Sequence, residues 1–349
     1  MIKRFLFVLH EMGTIDHAVA LKSQIQLAGG VVKHVVVGEN KMPAWADDYF
    51  PQSDRLLEMD ALQSLAGFSA VWMAEPYEQL RPVAWREIWE RVPLVYSGYG
   101  VPLSDWKRGY DFPFFDHCQL IMASSAIEEK EYRDSGVGSR KVALTGDPLM
   151  FEVMKLPEIL SSKNPVGTIL WAPHWTKKWV DGSAGFANWE WAVGALYHFF
   201  KSHPDTQLVV RPHPFLTFQD GTYRARTKAR RLFSLPNVSR SETSMHADIA
   251  KSDLLISDGV SILAYFGATG KPVVVLRNKK YPPPFDAVGE EITASMANIT
   301  SRRSLGRTLS AVSSDGSPAL GGTQSVREAI LHNFPVQGSS PGKFLVDNS

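Results

Sequence analysis

The chain alternates short apolar, often β-branched runs with segments in which apolar residues recur every three or four positions. The short runs predict buried strands, and the periodic segments predict helices. In the first half the predicted strands are Arg4–His10, Val31–Val37, Ala70–Ala74, Leu94–Ser97, Leu120–Ala123 and Lys141–Leu144. Near-continuous apolar strands separated by helices indicate a parallel sheet that is covered on both faces.

Turn and capping residues mark the helix ends in this half. A helix over Asp16–Ala28 is ended by Gly29-Gly30, and a helix over Ala126–Ser135 is ended by Gly136. Ser124 and Ser125, followed by Glu128, form a predicted capping box at the start of the second helix.

The stretch Leu156–Gly167 is rich in Pro, Ser, Asn and Gly and is the predicted linker. The alternation then restarts, with strands at Thr168–Trp171, Gln207–Val210, Leu254–Ser257 and Pro272–Leu276, and helices at Asn188–Ser202, Tyr223–Phe233, Ser244–Ser252, Val260–Thr269 and Thr323–Asn333. Two such series predict an α/β protein of two doubly wound Rossmann-like domains that face a central cleft, at 1–155 and 168–335. The Gly- and Ser-rich residues 336–349 are predicted to form a flexible tail.

Composition narrows the class of protein. The 349 residues include 37 Lys plus Arg and 36 Asp plus Glu, so bulk charge gives no reason to expect a nucleic-acid partner. The single cysteine, Cys118, excludes an internal disulfide and fits a reducing compartment. The first apolar stretch, Phe5–Leu9, is too short for a secretion signal, and no run approaches the ~18 apolar residues of a membrane span. We therefore expect a cytoplasmic protein whose membrane contact, where there is one, is peripheral.

Polar residues follow three predicted strands of the second half directly. The clusters are Pro173-His174, then Arg211-Pro212-His213, and then Ser257-Asp258-Gly259-Val260-Ser261. Ligands of open parallel sheets bind beyond the carboxyl ends of the strands, so we expect the three clusters to meet at one edge of one sheet.

These clusters offer a guanidinium, two imidazoles, hydroxyls and the start of a helix, a set that suits a diphosphate. Ser257, Asp258 and Ser261 are equally typical of ordinary helix caps. His213 lies between Pro212 and Pro214, which stiffen the backbone and fix the direction of the imidazole, and this favours a functional role.

The clusters resemble segments of the CDP-glycerol glycerophosphotransferases, GT-B enzymes of teichoic-acid synthesis that work at the inner face of the bacterial membrane. The family's Y-A-P-T-W-R, R-x-H-P and T-D-Y-S-S segments are similar to Trp171–Thr176, Arg211–Pro214 and Ser257–Ser261, and its later K-P is matched by Lys271-Pro272. In the first half, its H-G-T-P-L-K and T-G-x-P-R segments are similar to Tyr99–Ser104 and Thr145–Leu149. The resemblance covers roughly residues 95 to 275.

The departures from the family fall mostly in the first half, where the resemblance places the acceptor. Tyr99 replaces the histidine that the resemblance makes the base or a phosphate ligand, and a phenol is a poor base at neutral pH. Gly100 is kept, and Lys107 lies close enough to replace the family's lysine, which is Ser104 here. Asp105 is a second candidate for the base, or a solvated turn residue.

Two further stretches have alternative interpretations. His10 and Gly13 follow the first strand and are predicted either to line the acceptor side of the cleft or to form a plain strand-to-helix turn. His17 is predicted to be a surface or cap residue of the next helix. The helix at Tyr223–Phe233 carries five positive charges, which form either a solvated face or a contact with an acidic bilayer.

The sequence thus predicts a transferase that uses a nucleotide-diphosphate-activated donor, CDP-glycerol-like or a sugar nucleotide, to build a cell-surface polymer such as teichoic acid or capsule. Its acceptor would be lipid-linked or a glycan. The alternatives are a polysaccharide glycosyltransferase that attacks at the anomeric carbon, a nonhydrolysing sugar-nucleotide epimerase and an inactive nucleotide-binding partner. No metal motif is present, so no metal or other cofactor is expected.

Overall fold

The computed structural model describes residues 2–9, 12–37, 42–74, 90–104, 114–136, 141–156, 166–175, 185–283, 285–315, 320, 323–336 and 338–349. Within them the strands are β1 Arg4–Leu9, β2 Val31–Val36, β3 Ala70–Met73, β4 Leu94–Ser97, β5 Cys118–Ala123, β6 Val142–Leu144, β7 Thr168–Ala172, β8 Gln207–Val210, β9 Val238–Arg240, β10 Leu254–Ser257, β11 Val273–Leu276 and β12 Ala297–Ile299.

The α-helices in the described residues complete the layers. They are α1 Ile15–Leu27, α2 Glu58–Gln63, α3 Phe114–His117, α4 Ala126–Asp134, α5 Pro148–Val153, α6 Trp189–Ser202, α7 Tyr223–Phe233, α8 Met245–Lys251, α9 Ser261–Gly267, α10 Ala287–Ala294, α11 Arg302–Asp315, α12 Thr323–Asn333 and α13 Pro341–Asn348.

The first compact unit comprises Met1–Val101, Trp106–Glu152 and Asn333–Ser349. Its sheet has the order β2-β1-β3-β4-β5-β6, and all pairings are parallel. Strand β1 lies between β2 and β3 and is buried on both faces, since Phe5, Phe7 and Leu9 enter one core cluster while Leu6 and Val8 enter another. A strand buried on both faces is apolar throughout, as the sequence predicted.

The second compact unit comprises Pro102–Asp105 and Val153–His332. Its parallel sheet has the order β9-β8-β7-β10-β11-β12. One face of the sheet packs on α6, α7 and α11 through a single apolar cluster that contains Trp171, Trp189 and Leu305.

Helix ends form where short polar residues or glycine allow them. Ser125 caps α4 by accepting from the Glu128 N–H at 3.1 Å, and the Glu128 carboxylate accepts from the N–H and the hydroxyl of Ser124 at 2.7 Å each. The predicted capping box is therefore confirmed. Helix α1 ends at Leu27, and Gly29 lies just beyond it with a φ of 83°, in the left-handed region. The Gly30 N–H donates to the Ile25 carbonyl.

The prediction of a flexible tail at 336–349 is wrong. Helix α13 begins after Ser340, whose hydroxyl accepts from the Lys343 N–H, and it packs on α1. The Gly342 N–H donates to the Gln24 side chain, and Leu345 is buried in the core of the first unit. Pro341, Gly342 and Leu345 lie on one face of α13 and are buried, which gives this Gly- and Ser-rich segment a core to join.

Because Leu345 fills a closed site, we expect Leu345→Ala to lower the free energy of unfolding by about 2 to 4 kcal/mol. Lys343→Ala is the matched control, since its side chain is exposed and its ion pair with Asp347 is expected to contribute less than ~1 kcal/mol. Urea denaturation of the two variants measures both values. Equal small losses would show that α13 adds nothing to the core.

Candidate functional site

The second sheet has a topological switch point between β7 and β10. From β7 the chain moves outward to β8 and β9 on one side, and then returns to add β10, β11 and β12 on the other. Ligands of doubly wound sheets bind beyond the carboxyl ends of the strands at such a point. The loops that follow β7, β8 and β10 carry the three clusters predicted from the sequence.

Hydrogen bonds join these three loops directly. The His213 N–H donates to the Pro173 carbonyl at 3.0 Å, which ties the loop after β8 to the loop after β7. The Ser257 hydroxyl donates to the Ala172 carbonyl at 2.6 Å and accepts from the Gly259 N–H at 2.8 Å. The structure therefore brings together at this edge the segments that the sequence predicted to meet.

Asp258 is the buried centre of this arrangement. Its carboxylate accepts from the His174 N–H at 2.7 Å and from the Asn188 N–H at 2.5 Å, so it joins the loop after β7 to the start of α6. Burial raises the pKa of Asp258 to about 6, against the opposite effect of these backbone hydrogen bonds. The oxygens of Ser257 and Asp258 thus bind the protein's own backbone, and in the described contacts these residues position the loops.

The two predicted imidazoles lie side by side, with ring centroids 5.0 Å apart. His174 is buried and stacks on Phe186 at 4.8 Å, and burial together with the neighbouring His213 lowers its pKa well below the usual value. Burial lowers the pKa of His213 to about 4. Both rings are therefore neutral at neutral pH.

The hydrogen bonding of His213 defines what its ring can offer. Its Nδ1 accepts from the Phe215 N–H at 3.2 Å, so in the neutral ring the proton is on Nε2. An Nε2–H group can donate to an anionic oxygen without the ring carrying a charge. The rings of Trp175 and Phe215 complete the cluster, with Trp175 5.9 Å from His213 and 5.6 Å from Phe215.

Sequence reasoning did not assign Phe215 or Phe186 to this site. Phe215 is 56% exposed and stands beside the imidazole of His213 at 5.4 Å. An exposed aromatic ring next to a polar donor suits a ligand that has both a planar and a charged part. The signal in the sequence was the position of Phe215, two residues beyond His213 in the same loop.

Arg211 is held by partners that the sequence did not predict. Its Nη1 donates to the Thr243 carbonyl at 2.7 Å, to Asp248 at 3.0 Å and to the Ser241 hydroxyl at 3.1 Å. This nitrogen is therefore committed to the loop before α8 and to α8 itself. A contact from Arg211 to a ligand would have to use its remaining nitrogens.

Ser261 is the first residue of α9, which is shorter at both ends than the predicted helix over Val260–Thr269. Val260 occupies the N-cap position, and its side chain makes no capping hydrogen bond. With seven residues, α9 has only two turns, and the predicted helix-dipole contribution is small in proportion.

In the first unit, Tyr99 and Gly100 follow the carboxyl end of β4, and Tyr99 is 37% exposed. Glu128 lies close to this loop. The position that a Cβ atom would take at Gly98 is 3.9 Å from Oε1 of Glu128 and 3.8 Å from the Gly100 carbonyl oxygen. The sequence identified Glu128 only as a capping residue. The structure adds that this buried carboxylate adjoins the Tyr99 loop.

The remaining acceptor-side candidates divide into two groups. Gly13 lies in a short 3₁₀ helix, Met12–Thr14, directly after β1, with open space where a side chain would be. His10, Asp105 and Lys107 lie outside the described residues.

The prediction that His17 is a surface or cap residue is wrong. Its side chain is 2% exposed, and its Nε2 lies 3.4 Å from Oδ2 of Asp147, which is equally buried. Asp147 also accepts from the Met150 N–H and so caps α5. The sequence could not show this pairing because 130 positions separate the two residues.

Metal-binding clusters and membrane-spanning helices are both absent from the described residues. In that part of the chain no group of three or more His, Cys, Asp or Glu residues is arranged to hold a metal ion. No helix among the same residues is long and apolar enough to cross a bilayer.

The two parallel sheets with flanking helices define the fold as GT-B. No protein-family model and no curated protein sequence matches the chain. Solved structures do match it across nearly its whole length, at 13 to 14% identity in the three cases given next. At such identity the likeness shows the fold and not the activity.

One of them is the wall teichoic acid polymerase TagF with CDPG, with a TM-score of 0.65 and 14% identity over 99% of this chain and 87% of that one. A second is UDP-GlcNAc 2-epimerase from Neisseria meningitidis bound to UDP-GlcNAc, with a TM-score of 0.59 and 13% identity over 99% and 98% of the two chains. A third is S. aureus MnaA with UDP, also at 0.59 and 13%, over 99% and 96%.

Asp258 generates a testable pH dependence. Its usual pKa is 3.8 and its folded value is about 6, so between these pH values the folded chain holds a proton that the unfolded chain has lost. The stability that this proton contributes is present below about pH 4 and is lost as the pH rises through about 6. We expect the difference in the free energy of unfolding, wild type minus Asp258→Asn, to increase as the pH falls from 7 to 4.

Urea denaturation at several pH values measures this difference. His174 and His213 have lowered pKa values and act in the opposite direction, but they are present in both proteins and largely cancel in the subtraction. A difference that is constant across this range would show that Asp258 titrates normally.

Proposed function

We propose that the chain is a transferase that binds a nucleotide-diphosphate-activated donor at the carboxyl edge of the second sheet. The donor is CDP-glycerol-like or a sugar nucleotide. The transferred group goes to a lipid-linked or glycan acceptor, as in the synthesis of teichoic acid or capsule. Work on a lipid-linked acceptor would take place at the inner face of a membrane, by peripheral contact.

This proposal rests on one observation: hydrogen bonds join the loops that follow β7, β8 and β10 at the β7/β10 switch point. Pro173, His174, His213 and the Ser257–Gly259 segment lie together there although they come from separate parts of the chain. The solved neighbours support the proposal, since those structures are of proteins with UDP, UDP-GlcNAc and CDPG.

The proposed chemistry uses the neutral imidazole of His213 as a hydrogen-bond donor. Its Nε2–H would bind a phosphate oxygen of the donor, and this bond strengthens as negative charge builds on the departing nucleotide. A neutral donor keeps this role at any pH above about 4, the pKa of the half-buried His213 ring. Phe215 and Trp175 would contact the planar part of the ligand.

Two transfer reactions are open at such a site. Attack of an acceptor hydroxyl on the phosphorus next to the polyol forms a new O–P bond, breaks the bond to the second phosphate and releases a nucleoside monophosphate. Attack on an anomeric carbon forms a glycosidic bond and releases a nucleoside diphosphate. In both cases the acceptor proton needs a base. Tyr99 occupies the position of the family's histidine, and Asp105 is the second candidate from the sequence.

A specific observation favours a second candidate, the nonhydrolysing epimerase. Such an enzyme needs buried carboxylates and no acceptor. Glu128 is buried beside the Tyr99 loop at the carboxyl ends of β4 and β5. Two of the solved neighbours named above are UDP-bound or UDP-GlcNAc-bound proteins of similar length.

A panel of CDP- and UDP-linked donors tests these candidates together. A nucleotide that binds the folded chain raises its unfolding temperature, so a thermal-shift screen identifies the base. Incubation with and without acceptor then separates the reactions, since a transferase needs the acceptor and an epimerase does not. Nucleotide binding with no turnover in either condition would identify an inactive binding protein.

We expect His213→Ala to lower kcat/KM at least 100-fold and to reduce the thermal shift produced by the donor, because the Nε2–H donor is lost. His198→Ala is the matched control, since this histidine is exposed on α6 and outside the ring cluster. Steady-state kinetics and thermal shift on both variants give the comparison. Wild-type turnover in His213→Ala would defeat the site assignment.

We expect Tyr99→Phe to lower kcat at least tenfold while the donor-induced thermal shift stays unchanged, because the phenol belongs to the acceptor side. Glu128→Gln in the same assay tests the neighbouring carboxylate. Full activity in Tyr99→Phe would exclude the phenol as the base. If wild type turns over the donor without acceptor and Glu128→Gln loses that activity, the result would favour epimerisation.

A further inference from the structure

A cavity of about 580 Å³ lies between α7 and β9, at the outer edge of the second sheet. Phe218, Phe233 and Val238 give it an apolar wall, and the guanidinium groups of Arg226, Arg230 and Arg240 line it as well. The volume falls in the range of small-molecule sites in proteins. No residue of the proposed donor site is among those that line it.

The arginines of this cavity have no anionic partner among the described residues. None of the three forms an ion pair or a side-chain hydrogen bond within that part of the chain. The Nε of Arg226 is fully buried and makes no hydrogen bond there. A buried N–H donor that lacks an acceptor costs about 1 to 3 kcal/mol, so a ligand oxygen that reached this Nε through a shift of the Arg226 side chain would remove that cost.

Aromatic stacking fixes the third guanidinium. Arg240 lies over the ring of Phe233 at 4.8 Å and over that of Phe218 at 5.8 Å. Stacking holds the guanidinium plane and leaves its N–H edge available for bidentate bonding. Two of the arginines, Arg226 and Arg230, project from consecutive turns of the same face of α7.

Charge defines the ligand class. Three guanidinium groups and one carboxylate, that of Glu242, line the cavity. Arg forks match phosphate oxygens, and a phosphate offers several acceptors for several donors at once. We propose that this cavity is a second binding site, separate from the donor site, that takes the phosphate group of a ligand.

The cavity is linked through the backbone to the Arg211 network. Arg240 ends β9, and the next three residues include Ser241 and Thr243, both of which accept from Arg211. A phosphate held by Arg240 would therefore order the segment that fixes Arg211 beside the loops of the donor site.

Isothermal titration with two soluble probes tests the proposal. The probes are inorganic pyrophosphate and a short-chain phosphatidic acid below its micelle concentration. We expect at least one of them to bind, and Arg226→Gln and Arg240→Gln each to weaken that binding at least tenfold. Arg231→Gln, an exposed change on the same helix outside the cavity, should leave it unchanged.

Sedimentation with phosphatidic acid vesicles, against phosphatidylcholine vesicles, distinguishes a lipid headgroup from a free phosphate compound. Binding by His213→Ala at the wild-type affinity would separate this site from the proposed donor site, whichever way the donor assays turn out. Unfolding temperatures confirm that the Gln variants fold. Absence of binding by both probes, or an equal loss in Arg231→Gln, would overturn the proposal.

Discussion

The candidate site depends on one buried carboxylate. Asp258 accepts backbone N–H groups from two other segments, and these bonds hold the loop after β7 and the first residue before α6 against the end of β10. Removing a carboxylate from water is costly unless hydrogen bonds compensate, and the raised pKa shows that compensation is partial. The protein thus keeps an energetically expensive group at the point where the three strand-end loops meet.

The same low-polarity surroundings determine the chemistry that the loops can offer. Burial holds His174 and His213 neutral, so the edge of the sheet presents N–H dipoles and aromatic rings in place of fixed positive charge. Cations are present, but they are placed elsewhere, with Arg211 on Asp248 and three more arginines around the cavity near β9.

Much of the fold could be predicted from local pattern. The buried strands are apolar on both faces. Gly29-Gly30 predicts the C-terminus of α1, and Ser125 with Glu128 predicts the N-terminus of α4. Strands β9 and β12 were missed because each is only three residues long and interrupted by polar residues, and they form strands through pairing with a neighbouring strand. Candidate site residues could be predicted where they directly follow a strand, because that position alone places them at the carboxyl edge of the sheet. Their partners, such as Asp248 for Arg211, depend on contacts between distant segments, which no periodicity encodes.

The course of the chain through its two units has a consequence for how the protein is made. Both ends of the sequence belong to the first unit, while Val153–His332 of the second unit lies between them. The bond from Gly342 to Gln24 spans 318 positions. During synthesis, the later-translated unit can therefore complete its sheet before the earlier one receives its last helix. Helix α1 therefore stays uncovered by α13 until residues 341–348 have been translated.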